Sequence, residues 1–189
     1  MDPFAYLSVL TSLVIGLGIA RLLTGVGWMM QSRSRVHFSW THGLWIANVF
    51  LFALLNWWIL FRWRTQTEWT FFLLLFLLAT PTITFVLTVL LFPESIPDGF
   101  DYGQYFLSNR PWFFGLSALL APLDAIDTAL KGVDHLLAQG VIYPVTIILL
   151  TVLMVIAART NNRAYHRFFA VFFLCYLIVF IGINLRVLA

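Results

Sequence analysis

The chain has 189 residues, of which 61% are hydrophobic and 10% charged, with a formal net charge of +3. A water-soluble domain is about half apolar and about a quarter charged, so a mean hydropathy of +0.92 argues against water as its main solvent. The basic balance does not point to nucleic acid, because Lys and Arg sit in short clusters beside apolar runs, where they act as topology signals.

Asp2–Pro3 reads as a helix start, with Asp as the cap and Pro at the first helical position. Residues 4–20 carry no charge and no Lys or Arg precedes them. The run is also longer than a signal-peptide core, so the expectation is a retained helix over 4–31. A membrane-crossing helix needs about 20 mostly apolar residues at ~1.5 Å rise each. The uncharged stretches 36–61 and 69–93 meet that length and predict helices over 37–62 and 68–92. Three more are expected over 112–137, 141–158 and 165–188. Between the third and fourth lies FPESIPDGFDYGQYFLSNRP, residues 92–111, where Pro, Gly, acids and aromatics alternate. It reads as a loop or short helix at the lipid headgroups. Most of the eight Trp fall near expected helix ends, as an aromatic belt would.

The expected fold is therefore all-α, a polytopic bundle of six transmembrane helices in a single membrane domain over 1–189. Arg33, Arg35, Arg110, Arg159, Arg163 and Arg167 flank the first, third and fifth connections; Arg62 and Arg64 flank the second, and the fourth has none. That bias puts both termini outside the cytoplasmic face. In general character the chain resembles small bacterial inner-membrane proteins, a likeness that implies nothing about chemistry.

Small residues recur every four positions in the first helix at Ser8, Ser12, Gly16, Ala20 and Thr24. They do so again in the fourth at Ser117, Ala121, Ala125 and Ala129. Lipid gives helices no reason to hide Leu, so close packing has to come from such residues. The expectation is that the first and fourth helices meet at the bundle centre, with a homo-oligomer or larger-complex seam as the other reading. The two ridges lie 109 positions apart, and FFxxxFL occurs at Phe71 and at Phe168. Two inverted three-helix repeats, 4–92 and 112–188, joined by the interfacial loop 93–111, would explain both. Coincidence in an apolar alphabet competes with that reading.

Asp124, Asp127, Lys131 and Asp134 are spaced three, four and three apart, which places them on one face of a helix. With entry near Trp112, Asp124 would lie about 18 Å in, near the middle of a ~30 Å core. Arg21 would lie about 7 Å from it in depth, and Arg186 would end the sixth helix beside Lys131. Intramembrane charges face protein or water, so these six residues form the candidate transport path or buried charge network. Static ion pairing, or an amphipathic surface helix over 123–137, are the bland alternatives. Asn48 and Asn56 are read as interhelical hydrogen-bonders or as polar lining. Pro81 among Thr80, Thr82 and Thr84 predicts a kink whose freed carbonyl a hydroxyl satisfies. His42 and His166 lie near one face and could hold a single haem. Cys175 reads as a small core residue, and no metal or nucleophile motif is present in the sequence. Two functions follow: a small channel or secondary transporter for a proton, ion or small polar solute, or a non-transporting subunit binding haem, quinone or lipid. A lipid-modifying enzyme has little residue support.

Overall fold

The computed structural model describes residues 3–184, without the side chains of 133–135 and 184. Six helices are long and apolar enough to cross a membrane: α1 (Pro3–Gln31), α2 (Trp40–Leu60), α3 (Phe71–Leu90), α4 (Tyr102–Leu130), α6 (Ile142–Arg159) and α7 (Arg163–Asn184). Between α4 and α6 lies the six-residue α5 (Val133–Ala138), and α2 runs on into a 3-10 turn, Phe61–Thr65.

Local chemistry sets the boundaries. Thr70 caps α3 by accepting from the Leu73 N–H, and Asp101 caps α4 by accepting from the N–H groups of Gly103 and Gln104. Capping at Asp101 starts the fourth helix at Tyr102, ten residues before the expected 112. Pro111 stays inside it. Proline removes the bond to the carbonyl four residues earlier, here Leu107, and the Arg110 guanidinium donates to that carbonyl at 2.6 Å. At the other end Gly132 takes φ 116°, a conformation only glycine adopts without strain. Helix α4 therefore stops at Leu130 rather than 137. The charged stripe is cut: Asp124 and Asp127 stay on α4, Lys131 is its C-cap, and Asp134 belongs to α5. At Pro81 the kink-repair expectation is not met, since the Thr84 hydroxyl turns to Thr80 instead of the freed Leu77 carbonyl.

Two connections are tied together at one end of the bundle. Strands β1 (Val36–His37) and β2 (Phe100–Asp101) pair in parallel, the Gly99 N–H donates to the Arg35 carbonyl at 2.8 Å, and Arg35 pairs with Asp98. At the opposite end Phe4 packs on Phe61 and Trp69.

Helix α1 packs on α3 and α2, while α4 packs chiefly on α6 and also on α3, and α2 on α7. The expected union of the first and fourth helices is thus replaced by two other seams. Buried residues of α1 are Thr11, Ile15, Gly18, Leu22 and Gly25, spaced four, three, four and three, the alternation of a coiled-coil seam. A Cβ on Gly25 would strike the buried Phe92 ring, and one on Gly18 would touch the Phe85 backbone at 3.7 Å. Of the period-four ridge, Gly16, Ala20 and Thr24 are exposed, and Ser8 and Ser12 are half-buried. The three-helix halves also pack differently, since α1 leans on α3 but α4 on its next neighbour α6.

Candidate functional site

A cavity of about 240 Å³ runs between the helices, space for about eight waters at ~30 Å³ each and far larger than a packing defect. Its wall is mainly apolar: Ile15 from α1, Val49, Phe52 and Leu55 from α2, Leu77 and Leu87 from α3, Leu120 from α4, Ile147 and Leu150 from α6, Phe173 and Leu177 from α7. One end carries the polar side chains Arg62, Trp63, Asp124, Asp127, Thr128, Lys131, Gln139 and Tyr143. At the other end stands Trp45, 1% exposed, its ring centroid 5.0–6.5 Å from those of Phe106, Phe113, Phe114, Phe169 and Phe173. The cavity thus has a charged mouth at one end and an aromatic floor at the other.

The mouth is assembled from three elements that converge. The 3-10 turn after α2 buries Trp63, whose Nε1–H donates to Asp127 Oδ1 at 3.0 Å. Asp127 Oδ2 pairs with Lys131 one helical turn on, and the Lys131 ammonium sits 5.2 Å over the Trp63 ring. These three groups satisfy one another. Helix α6 returns Tyr143, whose hydroxyl donates to the Asp124 carboxylate at 2.8 Å. Having spent its proton there, it accepts from the Thr128 hydroxyl, also at 2.8 Å. Among the described residues Asp124 forms no ion pair, and it is exposed at the opening. The residue free to meet a ligand is Asp124, with exposed Arg62 nearby on the rim.

Several expected positions move. Six residues separate Asp124 from the end of α4, about 9 Å at 1.5 Å per residue, so it lies near one end rather than at mid-depth. Arg21 is about 27 Å from the α1 terminus at that same end, and its guanidinium stacks on Trp28 at 5.4 Å. It does not reach Asp124. Asn48 bonds across helices as expected, donating to the Ala170 carbonyl of α7 at 3.0 Å, whereas Asn56 donates to Phe52 of its own helix. Both line the cavity. Ser117 and Ala121 face the cavity too, and Ala125 is half-buried beside them. Arg186 and the Asp134 side chain lie outside the described residues. Cys175 is exposed instead of buried.

The structure gives the haem reading no positive support. His42 and His166 both spend Nε2 on backbone carbonyls, of Leu91 at 2.7 Å and Thr160 at 2.9 Å. Their ring faces are covered, His42 by Tyr102 at 5.0 Å and His166 by Phe114 at 5.4 Å, with Phe106 packed against both. Among the described residues no cluster of three His, Cys, Asp or Glu has metal-binding geometry.

Sequence reasoning missed Trp63, Tyr143, Thr128 and Trp45. In the sequence Trp63 is one more belt residue among eight Trp, and nothing in the spacing links it to Tyr143. Their roles arise where separate helices converge. No protein-family model, no curated protein and no solved structure matches the chain.

Proposed function

We propose that the chain is an integral membrane protein of one domain and six spanning helices that binds a single-chain amphiphile. The apolar body lies along the cavity and the polar head sits at Asp124 and Arg62. The observation that carries this reading is the lining of the cavity: mainly apolar along its length, charged at its mouth, bounded by aromatic rings at its floor. Ligand pockets are mainly apolar with a few convergent polar groups and run to about 300–1,000 Å³; at about 240 Å³ this one suits a slender chain. With the Arg-rich connections toward the cytoplasm, the mouth opens at the outer leaflet of a cytoplasmic membrane. Lipid then supplies the ligand laterally and water meets its head.

Conduction or secondary transport of a proton, ion or small polar solute is the second reading, favoured by the four charges at the mouth. It ranks lower because a path would have to part the rings around Trp45, whose exposure is 1%.

Organic extraction of the protein purified in mild detergent, followed by mass spectrometry, tests the reading. A roughly equimolar amphiphile is expected, and Ile147→Trp, which fills the cavity, should lose it while gel-filtration behaviour stays unchanged. Equal ligand content in the two proteins would refute the assignment.

A further inference from the structure

Two buried polar atoms at the cavity floor have no hydrogen-bond partner among the described residues. Asn48 is fully buried and Trp45 is 1% exposed, and both line the cavity. The Asn48 amide orientation is fixed, because Nδ2 donates to the Ala170 carbonyl; a flipped amide would set oxygen against oxygen. Its Oδ1 is left as a buried acceptor without a partner, and the Trp45 Nε1–H as a buried donor without one. The residues lie three apart on α2, hence on one face with Cβ atoms about 5–6 Å apart. The rings of Phe113 and Phe173 pack against Trp45 and offer no conventional donor or acceptor.

A buried polar group without a partner is destabilising, and native proteins hold few of them. Two such atoms of opposite character, at the closed end of a cavity, call for a group that answers both. A hydroxyl can: its oxygen accepts from Trp45 Nε1–H while its proton goes to Asn48 Oδ1. A carbonyl oxygen answers only the donor, and a methyl answers neither. From the level of Asp124 to that of Asn48 the axial distance is about 18 Å, taking Trp63 and Asp127 as level and 1.5 Å per residue along α2.

We propose that the floor is a hydroxyl-recognition subsite formed by Trp45 Nε1–H and Asn48 Oδ1. The ligand class is an apolar chain that carries a polar head at one end and a hydroxyl at the other. This inference rests on the amphiphile reading and narrows it from any single-chain lipid to a terminally hydroxylated one.

The experiment compares matched pairs differing by that hydroxyl: lauric acid with ω-hydroxylauric acid, and dodecylamine with ω-hydroxydodecylamine. Each is titrated calorimetrically into wild type and Trp45→Phe in lipid nanodiscs, with empty nanodiscs as the partition control. A hydroxyl ordinarily weakens transfer into an apolar site. Here the hydroxylated member of the better-binding pair should bind wild type roughly tenfold tighter, about the worth of two net hydrogen bonds. That advantage should vanish in Trp45→Phe, and the Trp45 indole N–H resonance should move only with the hydroxylated ligand. Equal or tighter binding of the plain chain to wild type overturns the subsite and leaves the amphiphile reading standing. An advantage that persists in Trp45→Phe also overturns it. If no member of either pair binds above the partition control, both the subsite and the amphiphile reading fall. The ligand comparison in wild type decides the matter even where Trp45→Phe fails to fold.

Discussion

Two glycines on α1, nine positions apart, should respond oppositely to the same added methyl group. In a helix interior Ala is favoured over Gly by about 0.5–1 kcal/mol, so Gly16→Ala and Gly25→Ala share that gain. At Gly16 a Cβ meets nothing within 4 Å, and the gain is realised in full. At Gly25 it would collide with Cγ, Cδ1 and Cδ2 of Phe92, and Phe92 is only 3% exposed, so its ring has little room to withdraw. Overpacking of this kind costs about 1–3 kcal/mol. Because the propensity contribution is common to both variants, their difference isolates the collision at about 1–3 kcal/mol. For a chain of this size each kcal/mol moves the melting temperature by about 2–4 °C, giving a gap of about 2–12 °C. Thermal scanning by size-exclusion chromatography in detergent would read it. Equal melting temperatures for the two variants would refute the α1–α3 seam, and loss of stability only in Gly16→Ala would restore the outward ridge as the packing face.

Trp63→Phe keeps the ring under Lys131 but removes the N–H that Asp127 Oδ1 accepts; a hydrogen bond to a charged group is worth about 1.5–3 kcal/mol, so the melting temperature should fall measurably. An unchanged value would reduce Trp63 to an interfacial anchor. Single cysteines placed at Arg33 and Arg163, in a Cys175→Ser background, should label from one membrane face and a cysteine at Gln139 from the other; labelling of Arg33 and Arg163 from opposite faces would break the six-helix arrangement.

The six long helices were legible because lipid demands unbroken apolar length and sequence displays length directly. Which face of each helix turns inward was not. In water, the contrast between apolar and polar faces marks the core, but here Leu17 and Leu23 face out while Leu22 faces in, and the residue types carry no contrast. The four-residue ridge of Gly16 and Ala20 is the plainer pattern in the sequence, yet the seven-residue recurrence of Thr11, Gly18 and Gly25 marks the buried seam. The break at Gly132 had its signal, a glycine just beyond a helix end, which the regular spacing of the charges overrode. The early start of α4 was masked by Pro111, whose cost is repaired by the neighbouring Arg110 side chain. The mouth was half readable: Asp124, Asp127 and Lys131 came from spacing alone. Trp63 and Tyr143 join them only because α2 ends and α6 begins at the same height, a fact of tertiary packing.

The pairing of Val36–His37 with Phe100–Asp101 also has a mechanical consequence. It fastens the α1–α2 connection to the α3–α4 connection at the end beneath the aromatic floor, and His42, bonded to the Leu91 carbonyl, adds a rivet just inside. The far end has no such strand pairing among the described residues; a 3-10 turn and the short α5 border the opening there. The base is thus held by paired backbone, whereas the mouth is held by side-chain hydrogen bonds, Trp63 to Asp127 and Tyr143 to Asp124. On the amphiphile reading, a guest entering at Asp124 has to displace only those side-chain contacts and leaves the strand pairing at the base intact.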